Sequence, residues 1–462
     1  VGWQKWIAAT IAFAAAVAIA VYFRPDRAIR VATGAVAHNV CSKVFVSGLD
    51  PETVFSETID RAGIRRLRPL LRFALDRAGK TVDASVAGWL TSRAAFHDGF
   101  GCVMLHGAKA PYVLKSDIDA LKVTKAPPLL EEIAGPEAVE PSDPALKAAL
   151  DHAFEEPAEP PLRRTKAVVV VHNGKVIAER YANGVSVDTP LLGFSMTKSV
   201  INALIGILTQ QGLVTPSMPA PIPEWRGRND PRREIEVEHL MRMTTGLALD
   251  ETNSGFDPSS QMLYLRDDMA GFALKAPLIA PPGTRWHYSS PSTQLLARII
   301  RYAVGGPEQM LAFAWRELFN PLGMRSVTLE FDGSGTLQGT AYMLASARDW
   351  ARFGLLYLND GVVGGKRLLH EDWVDFSAAA TLKTDYGAGF WTNRSEHRSA
   401  KARIALGIPR DAFFASGDLG QRIVIMPTQH LVVVRLGDSV DRTGDMRGLA
   451  RLVKEVIAAV ER

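Results

Sequence analysis

Residues 193–208 read Gly193-Phe194-Ser195-Met196-Thr197-Lys198-Ser199-Val200-Ile201-Asn202-Ala203-Leu204-Ile205-Gly206-Ile207-Leu208, an apolar helix opened by a serine with a lysine three residues on. No other stretch constrains the chain as strongly. Positions three apart share a helical face, so the Lys198 amine can reach the Ser195 hydroxyl. The free N–H groups and positive dipole end of a helix N-terminus favour negative charge on the serine oxygen. Burial and nearby positive ends lower a lysine pKa, and a neutral amine beside a hydroxyl serves as a general base. The pair is a candidate nucleophile and base for acyl transfer. Taken alone, the spacing also fits an N-cap serine followed by a solvated lysine.

Two later segments agree with the chemical reading. Trp286-His287-Tyr288-Ser289-Ser290-Pro291 follows the turn signal Pro281-Pro282-Gly283-Thr284 and leads into an amphipathic pattern. On an extended segment Tyr288 and Ser290, two apart, point to the same side. Phe414-Ala415-Ser416-Gly417-Asp418-Leu419-Gly420-Gln421 runs into the strand pattern Arg422 to Pro427. A glycine-rich strand entrance lets a substrate approach the backbone, whose N–H groups can bind an oxyanion.

In order and spacing these three elements resemble the serine β-lactamase and penicillin-recognising hydrolases, most nearly their esterase and 6-aminohexanoate-dimer hydrolase branch. The resemblance runs from about Thr165 to Arg462. It implies a β-lactamase-like α/β sandwich, an antiparallel sheet with flanking helices and a helical region. It also implies an acyl-enzyme mechanism acting on esters or amides without a metal or organic cofactor. Ser195 and Lys198 then match nucleophile and base. Tyr288 matches the tyrosine of the second motif, and Ser290 orients it and the lysine. The N–H groups of Ser195 and Gln421 are the expected oxyanion donors. The third motif of this family reads Lys-Thr-Gly or His-x-Gly, whereas Asp418-Leu419-Gly420 stands there in this chain. Asp418 and Gly420 are accordingly expected to line the substrate site, with Asn253 on the cleft rim. A negative Asp418 disfavours penicillin-like carboxylates and favours cationic substrates. A peptidoglycan-directed D-amino-acid peptidase or β-lactamase, and a non-catalytic binding protein on the same scaffold, are the alternative readings.

Further segments fit an α/β fold. Lys166–His172 and Lys175–Tyr181 flank Asn173-Gly174, a hairpin signal. Val237 to Leu247 reads as a helix ending in Thr-Thr-Gly-Leu, and Ser346 to Asn359 as another helix. A strand pair over 423–426 and 431–435 precedes a helix over about 445–460. Gly361 to Lys366 has the wrong spacing for a phosphate loop and reads as a connection.

The remaining third of the chain is organised differently. Trp6 to Phe23 is an uncharged run of 18 residues, about 27 Å as a helix and bracketed by aromatics. It reads as a transmembrane anchor or as a signal segment with Ala18-Ile19-Ala20 as the small-residue site. Residues 24–125 form a module with a helix start at Asp50-Pro51, helical spacing over 54–75, and strands near 82–90 and 101–105. Residues 126–165 hold eight prolines and read as an extended linker before the hydrolase region at 166–462. Cys41 and Cys102 are the only cysteines. In an exported protein they pair, and the chain then faces the periplasm or exterior; in a reducing compartment they are buried thiols. Net charge +4 on 462 residues, without a basic run interleaved with aromatics, gives no case for nucleic acid. The expected partners are a small-molecule ester or amide and, through the N-terminal run, a membrane.

Overall fold

The computed structural model describes residues 2–8, 10, 24–61, 63–107, 110–122 and 127–462. The expected membrane span over 6–23 lies largely outside them. Among the described residues no helix is long and apolar enough to cross a membrane.

The N-terminal module is a helix laid on a small sheet. Helix α1 (Pro25–Cys41) starts at a proline, whose missing N–H costs nothing at that position, and continues into a wider turn over Ser42–Val46. Helix α2 (Pro51–Ile59) is capped by Asp50, whose carboxylate accepts from Thr53 N–H at 2.8 Å. Strands β1 (Leu71–Asp76), β2 (Thr81–Val86), β3 (Trp89–His97) and β4 (Gly101–Leu105) pair in sequence order, all antiparallel. The helical spacing expected over 54–75 is not one helix. It breaks after Ile59, and Pro69 bars continuation into what becomes β1. The single strand expected over 82–90 is a hairpin. Val86 pairs with Trp89 across Ala87 and Gly88, both at positive φ (51° and 76°), a two-residue turn whose twist suits a hairpin.

Cys41 at the end of α1 and Cys102 on β4 form a disulfide with Cα atoms 6.1 Å apart. It closes the module around Val36, Val40, Val54, Leu71, Val82 and Ala94, all buried.

After an extended stretch comes α3 (Pro144–Phe154), then the hairpin β5 (Thr165–His172) and β6 (Lys175–Tyr181), with Asn173 and Gly174 at the turn. Helix α4 (Thr197–Gln210) follows, then α5 (Ser290–Val304) and α6 (Ala347–Leu358). The chain closes with β7 (Trp391–Thr392), β8 (Phe413–Gly417), β9 (Gln421–Met426), β10 (Leu431–Gly437) and α7 (Met446–Val460). The six strands β5 to β10 make one antiparallel sheet in the order β7-β8-β9-β10-β5-β6, so the first and last parts of the domain meet at β10 and β5.

Both faces of that sheet are covered, which is why its strands are apolar on both sides. Val169, Val171, Ile423, Ile425, Val432 and Val434 face the large core that holds α4 and α6. Val168, Val170, Val424, Met426 and Val433 face α3 and α7. Helix α3 lies within the stretch read as an extended linker. Leu146, Ala149, Leu150 and Ala153, at helical spacing, seat it against the sheet and α7. The stretch before it does run extended over the domain: Val176 N–H donates to Ile133 O at 2.9 Å, and Leu129 N–H to Pro321 O at 2.8 Å.

The module and the domain built on the six-stranded sheet are joined by buried polar contacts. Glu330, fully buried, accepts from the Ser42 hydroxyl (2.7 Å) and the Cys102 N–H (2.9 Å), and pairs with His38 Nε2 at 2.7 Å. Lys43 pairs with Asp438, and Glu57 with Lys166 at 2.7 Å. Gly34 lets α1 close on Tyr264, since a Cβ there would lie 2.9 Å from the Tyr264 Cβ.

Candidate active site

The turn before α4 carries the serine. Phe194 is held at φ 46°, a conformation costly for an aromatic residue, and a tight helical turn over Phe194–Met196 hands the chain to α4. The Thr197 hydroxyl ties this turn by donating to Phe194 O at 2.7 Å. Ser195 makes no capping bond. Its Oγ is 3.0 Å from Lys198 Nζ. Lys198 is not solvated: it is 2% exposed. It donates to Ser195 Oγ, to Ser290 Oγ at 2.9 Å and to Thr340 O at 3.0 Å, which matches the three N–H donors of an ammonium. Both parts of the N-cap alternative fail on this geometry.

Burial lowers the Lys198 pKa from 10.5 to about 8, against the opposing charge of Glu251. A substantial neutral fraction near neutral pH follows, and a neutral amine 3.0 Å from a hydroxyl can take its proton. Tyr288 sits with its ring centroid 5.0 Å from Lys198 Nζ. Burial, with smaller contributions from Tyr386 and Glu251, pushes its phenol well above 10, while hydrogen bonding with Ser195 pulls the other way. Tyr288 therefore holds its proton and can give it only to a stronger base, such as a departing amine or alkoxide. Trp391 stacks on Tyr288 at 5.6 Å and Tyr386 meets it edge-on at 5.7 Å, which fixes the ring.

The sequence model described as Beta-lactamase matches residues 151–458, more than half of the chain. The chain belongs to the β-lactamase family. Among relatives it is 25% identical over 291 residues to the 6-aminohexanoate-dimer hydrolase of Paenarthrobacter ureafaciens, covering 59% of this chain and 72% of that protein. Two solved structures share the fold. One is a penicillin-binding protein homologue from Caulobacter crescentus (TM-score 0.54, 18% identity, 71% of this chain and all of that one). The other is a family VIII carboxylesterase (TM-score 0.52, 15% identity, 70% of this chain and all of that one). The expected family and its sandwich fold are thus found.

Within this β-lactamase fold the first two motifs converge and the third is arranged differently from expectation. Ser290 opens α5 and turns its hydroxyl onto Lys198, while Ser289 caps the helix by accepting from Ser292 N–H at 3.4 Å. Gln421, expected as an oxyanion donor, is unavailable. Its N–H donates to Asp418 O, and its buried side chain bonds to Gly437, accepting that residue's N–H at 3.0 Å. The backbone that reaches the serine turn is three to four residues earlier. At Gly417, the end of β8, a Cβ would collide with Gly193 O, so only glycine allows this approach. Asp418 then opens a tight turn, where the first N–H groups have no partner inside the turn. Gly420 does not face substrate: at φ 89° its Cα is packed against the Arg435 guanidinium and Gly444. The Asp418 carboxylate is about half exposed (49%) and ion-paired to Arg61 of the N-terminal module. Asn253 sits on a loop near Gly63 of the module and lines a cavity with Arg61 and Asp418.

Four neighbours of the site carried no signal in the sequence. Glu251 Oε2 accepts the Ser290 N–H at 2.5 Å. Trp391 and Tyr386 wall Tyr288 from a part of the chain without a motif. Arg61 meets Asp418 across 357 residues of sequence. Among the described residues no cluster of His, Cys, Asp and Glu is placed to hold a metal.

Proposed function

We propose that this chain is a serine hydrolase that cleaves esters or amides through an acyl-enzyme on Ser195. The observation that carries the reading is a buried lysine, with its pKa brought to about 8, 3.0 Å from the hydroxyl of a serine on a strained turn. Ser195 Oγ attacks the carbonyl and its proton passes to Lys198 Nζ. The oxyanion lies between the N–H groups of Ser195 and Asp418, the latter replacing the expected Gln421. Collapse breaks the bond to the leaving nitrogen or oxygen, which takes a proton from Tyr288; Lys198 returns one to Tyr288. Water then repeats the sequence against the acyl-enzyme and frees Ser195. Ser290 holds Lys198 and Glu251 holds Ser290. The relative named 6-aminohexanoate-dimer hydrolase supports amides as well as esters. The disulfide supports a location outside the cytoplasm, since such bonds persist in oxidising compartments.

The test is covalent labelling by a fluorophosphonate and by a fluorescent penicillin, side by side. The fluorophosphonate is expected to label, with the adduct on the Ser195 peptide by mass spectrometry, and Ser195→Ala to abolish both adduct and turnover. Labelling by the penicillin as well would favour the peptidoglycan-directed reading. An adduct on another residue, or full turnover in Ser195→Ala, overturns the assignment.

A further inference from the structure

A cavity of about 270 Å³ lies where the N-terminal module meets the hydrolase domain. One wall is apolar: Val31, Ala32 and Ala35 of α1, with Ile64 and Leu419. Arg61 and Asp418 line it too, with Asn253, Asp441 and Arg442 among its other polar residues. Two observations place Arg61 and Asp418 beside the turn that carries the serine. The Arg61 guanidinium lies 5.3 Å from the ring centroid of Phe194, the residue before the serine. Asp418 directly follows Gly417, which touches Gly193.

Arg61 is under-used as a donor. A guanidinium offers five N–H groups in a rigid fork. Among the described residues the Arg61 guanidinium makes one hydrogen bond, from Nη2 to Asp418 Oδ2, although the side chain is only 22% exposed. A largely buried guanidinium with spare donors facing a cavity suits a planar bidentate anion. Asp418, half exposed on a turn, is a displaceable partner for it.

We propose that Arg61 is a specificity-determining residue of the site and that the cavity takes an aliphatic chain carrying a carboxylate, which replaces Asp418 as the partner of Arg61. The substrate class is then esters or amides of aliphatic dicarboxylic or carboxyalkyl compounds. This rests on Ser195 being the nucleophile.

The experiment compares kcat/KM for a neutral and an anionic ester of matched length, p-nitrophenyl valerate and p-nitrophenyl hydrogen glutarate, in the full chain. The parent is first labelled with a fluorophosphonate. Absence of label overturns the serine hydrolase reading itself; label with an unmoved ester preference overturns only the role of Arg61. Arg61→Met is expected to lower the anionic-to-neutral ratio by about tenfold or more, mainly through KM, with Arg61→Lys recovering part of it. Asp418→Asn removes the competing carboxylate and is expected to raise the ratio several-fold. It keeps the test decisive if Arg61→Met fails to fold. A ratio within about twofold of the parent in Asp418→Asn and in every folded Arg61 variant overturns the proposal.

Discussion

Lys198 sits among three oxygens with its charge disfavoured by burial and favoured by one carboxylate, Glu251. Activity that needs the neutral amine rises with pH through the lysine pKa. The logarithm of kcat/KM on a neutral ester is therefore expected to climb with unit slope below about pH 8 and level above it. Glu251 raises that pKa, so Glu251→Gln is expected to move the limb to lower pH, by about one unit. A pH profile of kcat/KM in both proteins checks the sign. A limb that stays in place would mean that Glu251 only holds the Ser290 N–H. Glu251 was hidden in the sequence because its partner, the Ser290 N–H, is 39 residues away and a backbone group leaves no trace in residue identity. Ser195 and Lys198 were legible because a hydroxyl and an amine one helical turn apart carry that chemistry in their spacing, whereas Tyr288 and Ser290 were singled out by the resemblance of their motif.

At the scale of elements, the end of β8 is the tightest joint of the site. Gly417→Ala pushes a methyl into the Gly193 carbonyl, so the strand must retreat from the serine turn and take the Asp418 N–H with it. A fall in kcat/KM of about 10²-fold is expected, as for loss of one oxyanion donor, together with a lower melting temperature. Ala415→Gly on the same strand is the comparison that separates strand packing from the joint. The misplacement of the oxyanion donor at Gln421 has a physical origin. Gly417, Asp418, Leu419 and Gly420 present two glycines, and residue type alone does not tell which one permits a close approach. The fold shows Gly420 packed on Arg435 and Gly417 on Gly193. Elements with strong local signals, the Asn173-Gly174 hairpin and the buried α4, were readable. The 82–90 stretch was not, because a turn at Ala87-Gly88 interrupts a pattern that stays β-like on both sides.

For the whole molecule, the Cys41–Cys102 bond spans 61 residues of sequence and closes the module that carries Arg61. In the chain-entropy picture such a loop contributes about 4 kcal/mol. Urea unfolding of Cys41→Ala/Cys102→Ala against the parent is expected to show a loss of that order, with the module melting first. How the module meets the hydrolase domain was not legible in sequence, because its contacts join residues hundreds of positions apart. The Glu330 cluster shows what that contact means. His38, Ser42 and the Cys102 N–H surround a carboxylate belonging to the other part of the chain, and Lys43 does the same for Asp438. The module is thus a receptor whose ligand is its own neighbour. A chain begun at residue 127 exposes the apolar surface the module covers, Tyr264 and the Leu192, Leu344 and Leu419 cluster on which Val46 packs, while Glu330 and Asp438 pass into water that solvates them. Such a truncation is expected to be recovered as aggregate, and adding Glu330→Leu and Asp438→Leu, which enlarges that apolar face, should lower the soluble fraction further, as size-exclusion chromatography would record. The catalytic domain is in that sense not transplantable: its solubility is written partly in another segment of the same polypeptide.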